Sequence, residues 1–406
     1  MPRSSRPSIL RQAQDGRVSG RAVGGHAGLL SGFGIKRFKC EGIVMQVQKT
    51  LFIVLATVVA LALAFLRYFW PCKSPGVLLV DEKYAAKVVR DALSIPGTVS
   101  AKKLAGGATD AQLFRVSDDL KEYIVRCKSS TCQESFEQYV YNSKVASDGG
   151  YGPQIYFADP ARGIVIMEYL PSKISYQNLR TDQWVSAFAR FLQKIHQGKE
   201  FKNDRYDVFE KITHDLRANK SKCENIIPLA KIEQIVTVIR RALAPHQTTA
   251  PTHNDLHMGN LRCWGNECKA IDYENAGPGD PYFDVATIAV SPGFYSNQAQ
   301  EKVLFATYLG RQPSAVEEAR FYLMKQAVLI KWAVCDNLRR LPPEQLEYYG
   351  TIKIPSIQDY MGEILEGKLV FGKLETRLKD LKALLKEVFE NFESQEFRNA
   401  VSLLSK

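Results

Sequence analysis

The sequence predicts an α+β chain of two unequal parts, a small β-rich lobe and a larger helical one, set behind an apolar N-terminal segment. Three observations predict it. Short alternating runs bounded by Gly- and Asp-containing turns crowd residues 98–170. Helical periodicity dominates residues 171–406, most clearly over 317–340 and 372–404. Residues 51–66 (LFIVLATVVALALAFL) contain no charged side chain.

Composition narrows the classes. A hydrophobic content of 45% and a charged content of 24% belong to a globular chain. The net charge of +11 is concentrated at the start, where eight Lys and Arg precede Met45 against only Asp15 and Glu41. The rest is mildly basic and carries no basic helix, zinc spacing or aromatic RNA-binding motif, so no nucleic-acid partner is expected. The eight cysteines are scattered, without a CxxC pair. Reduced thiols are expected throughout, because a Cys263–Cys268 bridge would have to span a hairpin.

In chain order, residues 1–44 are rich in Arg, Gly and Ser and read as a disordered or non-native extension, with Met45 the expected start. Residues 45–70 read as a membrane anchor. The twenty residues from Leu51 to Trp70 match a hydrocarbon core of about 30 Å, Arg67 can snorkel, and Tyr68-Phe69-Trp70 suits an interfacial aromatic belt. A cleaved signal would need a small-x-small site, and a soluble core helix would need a polar face; neither is present. Residues 71–97 form a linker and a lead-in helix over 81–94, acidic at its start. The small lobe, 98–170, has strands at 99–104, 112–116 and 122–127, a helix over 133–146 and a hairpin of 154–158 with 163–170. The helical lobe, 171–406, begins with an amphipathic helix over 182–197 and a helical stretch over 205–246.

Residues 252–286 read THNDLHMGNLRCWGNECKAIDYENAGPGDPYFDVA. His253, Asp255 and Asn260 stand as His-x-Asp-x-x-x-x-Asn, and Asp272 closes a short apolar run twelve residues later. This is the spacing of a kinase catalytic loop. There the Asp accepts the proton of the acceptor hydroxyl, while the Asn and a second carboxylate hold magnesium. Phosphoryl transfer needs this set because its demands are alignment and charge neutralisation by hard oxygen ligands.

The same words resemble the choline/ethanolamine kinase and aminoglycoside phosphotransferase superfamily, which carries H-x-D-x-x-x-x-N, then I-D-[WFY]-E-x-A, then F-D-[LIV]-A. Asp272 is followed by Tyr273 and Glu274, so the Asp-Phe-Gly of protein kinases is absent. The resemblance spans about residues 98–340 and implies a bilobal protein-kinase-like fold using ATP and Mg2+. It implies that Asp255, with His253, is catalytic and that Asn260 and Asp272 hold metal. Gly106, Gly107 and Thr109 would cover the nucleotide phosphates, although Asp110 departs from the usual Asn or Ser. Arg126 would hold those phosphates, partnered by Glu137 or Glu134, with the spacing to Gly150–Pro153 favouring Glu137. Glu168 and Tyr169 would form the adenine hinge, Asp284 would brace the catalytic loop, and His196 would pack structurally.

Glu274 matches the carboxylate that choline and ethanolamine kinases keep near the cationic head group. An amino alcohol is therefore the expected acceptor, with Tyr273, Tyr282, Phe294, Tyr295 and Trp332 available to face an ammonium. Leu256-His257 keeps an aminoglycoside or thiamine-type kinase open. A membrane-tethered kinase-fold binder without activity is disfavoured because Asp255, Asn260 and Asp272 are all present. ATP is cytosolic, which places the catalytic domain of a single-pass protein on the cytoplasmic side.

Overall fold

The structure, a computed structural model, describes residues 80–104, 111–128, 133–171, 181–264, 266–295, 297–353, 356–370 and 373–406. The expected membrane anchor at 45–70 and the extension before it lie outside the described residues. Among the described residues no helix is long and apolar enough to cross a membrane.

The lead-in helix α1 (Glu82–Leu93) starts where Asp81 accepts a hydrogen bond from Tyr84 N at 2.7 Å, and it ends on Ser94 in the left-handed region. Its apolar stripe of Ala85, Val88 and Val89 packs on Phe114, Val116 and Val125 of the sheet that follows. It is thus part of the small lobe rather than a tether. That sheet contains β1 (Ser100–Lys103), β2 (Gln112–Ser117), β3 (Glu122–Cys127) and, after α2 (Gln133–Asp148), β4 (Ile155–Asp159) and β5 (Ile164–Glu168). The spatial order is β1-β2-β3-β5-β4, antiparallel throughout. Alternation along β3 sends Tyr123, Val125 and Cys127 into the α1 side of the sheet. Ile124 and Arg126 therefore face α2, where Ile124 packs beside Phe136, Tyr139 and Val140. This puts Arg126 on the side of the sheet that meets the helical lobe.

The helical lobe runs through α3 (Asp182–His196), α4 (Val208–Ala218) and α5 (Leu229–Leu243) to β6 (Ala250–Thr252). A hairpin of β7 (Leu261–Trp264) and β8 (Glu267–Ala270) follows, then β9 (Gly277–Gly279), which pairs with β6. Then come α6 (Pro281–Ala289), α7 (Gln298–Leu309), α8 (Ala315–Lys331), α9 (Ile357–Leu365), α10 (Leu374–Phe392) and α11 (Gln395–Leu404). One continuous apolar core joins these helices. In α8 the run Ala327, Val328, Leu329, Ile330 is fully buried, each Leu or Ile contributing roughly 1.5–3 kcal/mol of burial free energy.

Four local features differ from the sequence expectations. The helical stretch over 205–246 is interrupted: Asn219 bonds back to Asp215 O at 2.8 Å, and Pro228 supplies no N–H for a continuous ladder. The helix expected over 317–340 is α-helical only to Lys331; Trp332–Asn337 is a π-helical turn, with Asn337 Nδ2 donating to Trp332 O at 3.0 Å. The segment 372–404 is two helices, because Ser394 caps α11 through Phe397 N. Finally, Cys263 and Cys268 are not reduced thiols but a disulfide. The two stand directly opposite in the β7–β8 register with Cα atoms 4.2 Å apart, so the hairpin itself brings them together. Cys127, Cys223 and Cys335 are free and buried.

Candidate active site

The catalytic stretch is held from beneath by one carboxylate. Asp284, in the first turn of α6 and fully buried, accepts from His253 N at 2.7 Å and from Asn254 N at 2.9 Å. His196, at the end of α3, lies 3.2 Å from the same carboxylate through Nε2, while its Nδ1 meets Tyr308 OH at 2.8 Å. Asn254 has a positive φ of 65°, which Asn tolerates and which turns the chain just before Asp255. Close by, β6 and β9 pair so tightly that a Cβ at Gly279 would collide with Thr252 Oγ1.

His253, expected to act with Asp255, lies apart from the cleft that holds Asp255. It is completely buried, its Nε2 donates to Ile271 O at 3.1 Å, and its ring packs 4.6 Å from that of Tyr273. It ties the catalytic loop to the strand end that carries Asp272 and does not line the cleft, so it positions the loop.

Asp255, Asn260, Asp272 and Glu274 do line one cleft, of ≈ 730 Å³. The β7–β8 hairpin explains why. Asn260 and Asp272 stand at its two ends, closed by a hydrogen bond from Ile271 N to Asn260 O at 2.8 Å. Asn260 Nδ2 donates to Asp255 O at 3.0 Å, which orients the amide and leaves Oδ1 as an acceptor. Asp272 adopts φ 68°, in the left-handed region, which few residues other than glycine enter and which Asp tolerates. An amide oxygen and a carboxylate are hard donors, few in number, as Mg2+ prefers when phosphates and water complete its shell. Asn260 and Asp272 therefore fit the ion.

Arg126 reaches this site from the small lobe. Its Nη1 donates to Asp272 Oδ1 at 2.8 Å, its Nη2 donates to Glu274 Oε2 at 3.0 Å, and its guanidinium lies 4.0 Å from the Tyr139 ring centre. Of the two helix carboxylates considered as its partner, Glu137 is exposed on α2, and the side chain of Glu134 is outside the described residues. Burial first, and Asp272 second, raise the Glu274 carboxyl above its ordinary value, with Arg126 opposing. Glu168 ends β5 and accepts from Gln154 N at 3.0 Å and Lys269 Nζ at 2.8 Å; the Tyr169 ring lies under Arg115. Gly106, Gly107 and Thr109 lie outside the described residues.

Several groups in the cleft escaped sequence reasoning. Lys331, at the end of α8 and only 9% exposed, places Nζ 3.5 Å from Asp255 Oδ1 and 3.0 Å from Asp336 Oδ2. Burial works against its charge, but Asp336 and then Asp255 outweigh it and hold the ammonium above its ordinary value. Burial likewise pushes the Asp255 carboxyl upward. Lys331, then His257 and His253, more than offset this, so Asp255 is held below the usual carboxylate value. His257 accepts from Gly259 N through Nδ1 and lies 3.9 Å from Asp255 through Nε2; burial depresses its imidazole. Lys331 had one sequence signal, a lone charge closing the apolar run 327–330. Of the aromatics named for an ammonium, Trp332 lines the cleft, whereas Tyr273 and Phe294 are core and Tyr282 packs under Arg320.

The site thus combines a depressed carboxylate, a neighbouring ammonium and two magnesium-type oxygen donors at the seam of two lobes. Comparison with known proteins agrees. The model of the phosphotransferase enzyme family matches residues 100–322. A choline/ethanolamine kinase family protein from Mesorhizobium loti is 18% identical with a TM-score of 0.57, over 79% of this chain and 98% of that one. A choline kinase from Cryptosporidium parvum Iowa II is 18% identical with a TM-score of 0.55, over 80% of this chain and 100% of that one. At such identities these likenesses establish the fold. No curated protein sequence matches the chain. With the family model spanning more than half of its length and the catalytic constellation assembled within that span, the chain belongs to the phosphotransferase enzyme family.

Proposed function

We propose that the chain transfers the γ-phosphoryl group of ATP to the hydroxyl of a small amino alcohol, such as choline or ethanolamine, with Mg2+. The observation that carries this reading is the convergence of Asp255, Asn260 and Asp272 on one cleft in kinase order. Asp255 accepts the hydroxyl proton as the acceptor oxygen bonds to the γ-phosphorus and the bond to the bridging oxygen of ADP breaks. Its carboxyl, held below the usual carboxylate value, stays ionised at neutral pH. Lys331, beside it, offsets negative charge at the point of transfer. Asn260 and Asp272 would hold magnesium, which neutralises phosphate charge when bound. Glu274 and Trp332, in the same cleft, suit an ammonium head group. The names of the two solved relatives favour the same acceptor class. Residues 45–70 would tether the enzyme to a membrane, with the catalytic domain on the side that holds ATP.

Transfer from radiolabelled ATP to choline, ethanolamine, thiamine, an aminoglycoside and an uncharged sugar, with and without Mg2+, tests the reading. Transfer confined to the sugar rejects the amino alcohol. Equal turnover by wild type and Asp255→Ala removes Asp255 from its role. Absence of transfer to any acceptor favours a kinase-fold binder. Protease accessibility in sealed vesicles tests the topology, and digestion of the catalytic domain from the side without ATP overturns it.

A further inference from the structure

The cleft carries a charge pattern that proton transfer and metal binding do not use. Arg339 and Arg340 follow the π-helical turn, Arg377 projects from α10, and all three line the cleft with Asp255 and Glu274. Among the described residues none of the three forms an ion pair. Arg339 Nε donates to Cys335 O at 3.1 Å, Arg377 donates to Asp336 O, and Arg340 makes no hydrogen bond among the described residues. The one carboxylate in this turn, Asp336, is already held by Lys331 at 3.0 Å. Burial and then the nearby Arg340 depress the Arg377 guanidinium, with Asp336 opposing, so the two positive groups lie close enough to feel one another.

Adjacent guanidinium groups repel unless an anion is shared between them. Their planar forks fit the oxygens of phosphate, with two parallel N–H donors per group. Three such groups suit a phosphate better than a single carboxylate, because a phosphate offers more acceptor oxygens. We propose that the acceptor carries a phosphate group in addition to the hydroxyl presented to Asp255, and that Arg339, Arg340 and Arg377 hold it. This rests on reading the cleft as the acceptor site of a kinase. A phosphodiester of an amino alcohol satisfies both ends, its ammonium facing Glu274 and Trp332 and its phosphate facing the arginines. The transfer itself is unchanged: the free hydroxyl oxygen bonds to the γ-phosphorus, its proton passes to Asp255, and ADP leaves.

The test pairs binding with turnover. Glycerol 3-phosphate and glycerophosphocholine are compared with their phosphate-free counterparts, glycerol and choline, by calorimetry on the Asp255→Asn protein. The same titrations use that protein with Arg339→Gln and Arg340→Gln added, and separately with Arg377→Gln. Arg339 and Arg340 are exposed, so the double change leaves the fold intact, and an unchanged melting temperature verifies this. The expected result is that phosphate-bearing probes bind about tenfold tighter or more, and that this advantage is lost in the double variant and reduced with Arg377→Gln. Binding without a phosphate advantage, or an advantage that survives the arginine changes, overturns the proposal. Wild-type transfer rates with the same probes separate the two readings. Turnover of choline without preference for glycerophosphocholine leaves the kinase reading standing and overturns this one. Absence of any turnover refutes the kinase reading, while calorimetry still decides the phosphate site. Transfer to the head-group hydroxyl of phosphatidylglycerol vesicles, compared with dissolved glycerol 3-phosphate, distinguishes a lipid source from a soluble one.

Discussion

Replacing Lys331 by Met would test how the catalytic carboxylate is tuned. Met keeps most of the apolar stem and removes the charge that lies 3.5 Å from Asp255 and 3.0 Å from Asp336. Two unit charges about 4 Å apart at an effective dielectric near 20 interact by about 4 kcal/mol. Desolvation of the ammonium opposes this, and Asp255 and Asp336 retain 27% and 31% exposure, which weakens it further. A net destabilisation of about 2 kcal/mol is expected, below the range for breaking a fully buried pair. The sign for Asp255 follows from its lowered pKa. Its ionised form stabilises the fold above the ordinary carboxylate range, and that contribution is lost as pH falls through the lower folded value. Without Lys331, burial acts with its main opponent removed, so the carboxyl rises. The acidic limb of the kcat/KM profile then moves to higher pH. Turnover at neutral pH is expected to fall by about tenfold to a hundredfold, the equivalent of roughly 1.4–2.7 kcal/mol of transition-state stabilisation. Denaturant unfolding and pH–rate profiles measure both effects. Superimposable profiles for wild type and Lys331→Met would refute the coupling.

Three further outcomes are expected. Asp255→Asn leaves the fold intact and lowers kcat by about 10²- to 10⁴-fold, the usual contribution of a positioned general base; steady-state kinetics and a melting curve check it. Asp284→Asn weakens charged acceptance from His253 N and Asn254 N, costing about 2 kcal/mol of stability and lowering kcat more than it raises KM, which unfolding and kinetics together reveal. Alkylation and mass mapping of unreduced, unfolded protein should label Cys127, Cys223 and Cys335 but spare Cys263 and Cys268. Cys263→Ser should cost about 2 kcal/mol, since the bridge closes only a short loop.

Legibility in the sequence tracked the distance over which each part is specified. Asp255, Asn260 and Asp272 were readable because a catalytic loop and one hairpin fix their relation within a few residues. Asp284 was readable because the Phe-Asp-Val-Ala word places it at the start of a helix. Arg126 was found, but its carboxylates were not: Asp272 and Glu274 lie 146 and 148 residues further along, and only the closing of two lobes brings them together. Arg339 and Arg340 follow a π-helical turn that re-aims the side chains after it, and apolar periodicity does not register such widening; Lys331, just before that turn, and Arg377, on α10, reach the cleft only through the packing of separate helices. The Cys263–Cys268 bridge needed the strand register, which four intervening residues left open.

Arg126 gives the molecule a mechanical property that neither lobe has alone. A single guanidinium on a β-strand grips two carboxylates of the opposite lobe, so any parting of the lobes must stretch both bonds at once. The grip falls on Asp272, the same side chain that would receive the metal. A magnesium ion held at Asp272 would compete with Arg126 for that carboxylate, and nucleotide phosphates would compete with Asp272 for the guanidinium. Binding there would then be an exchange of partners rather than an addition, and it would loosen the interlock between the lobes.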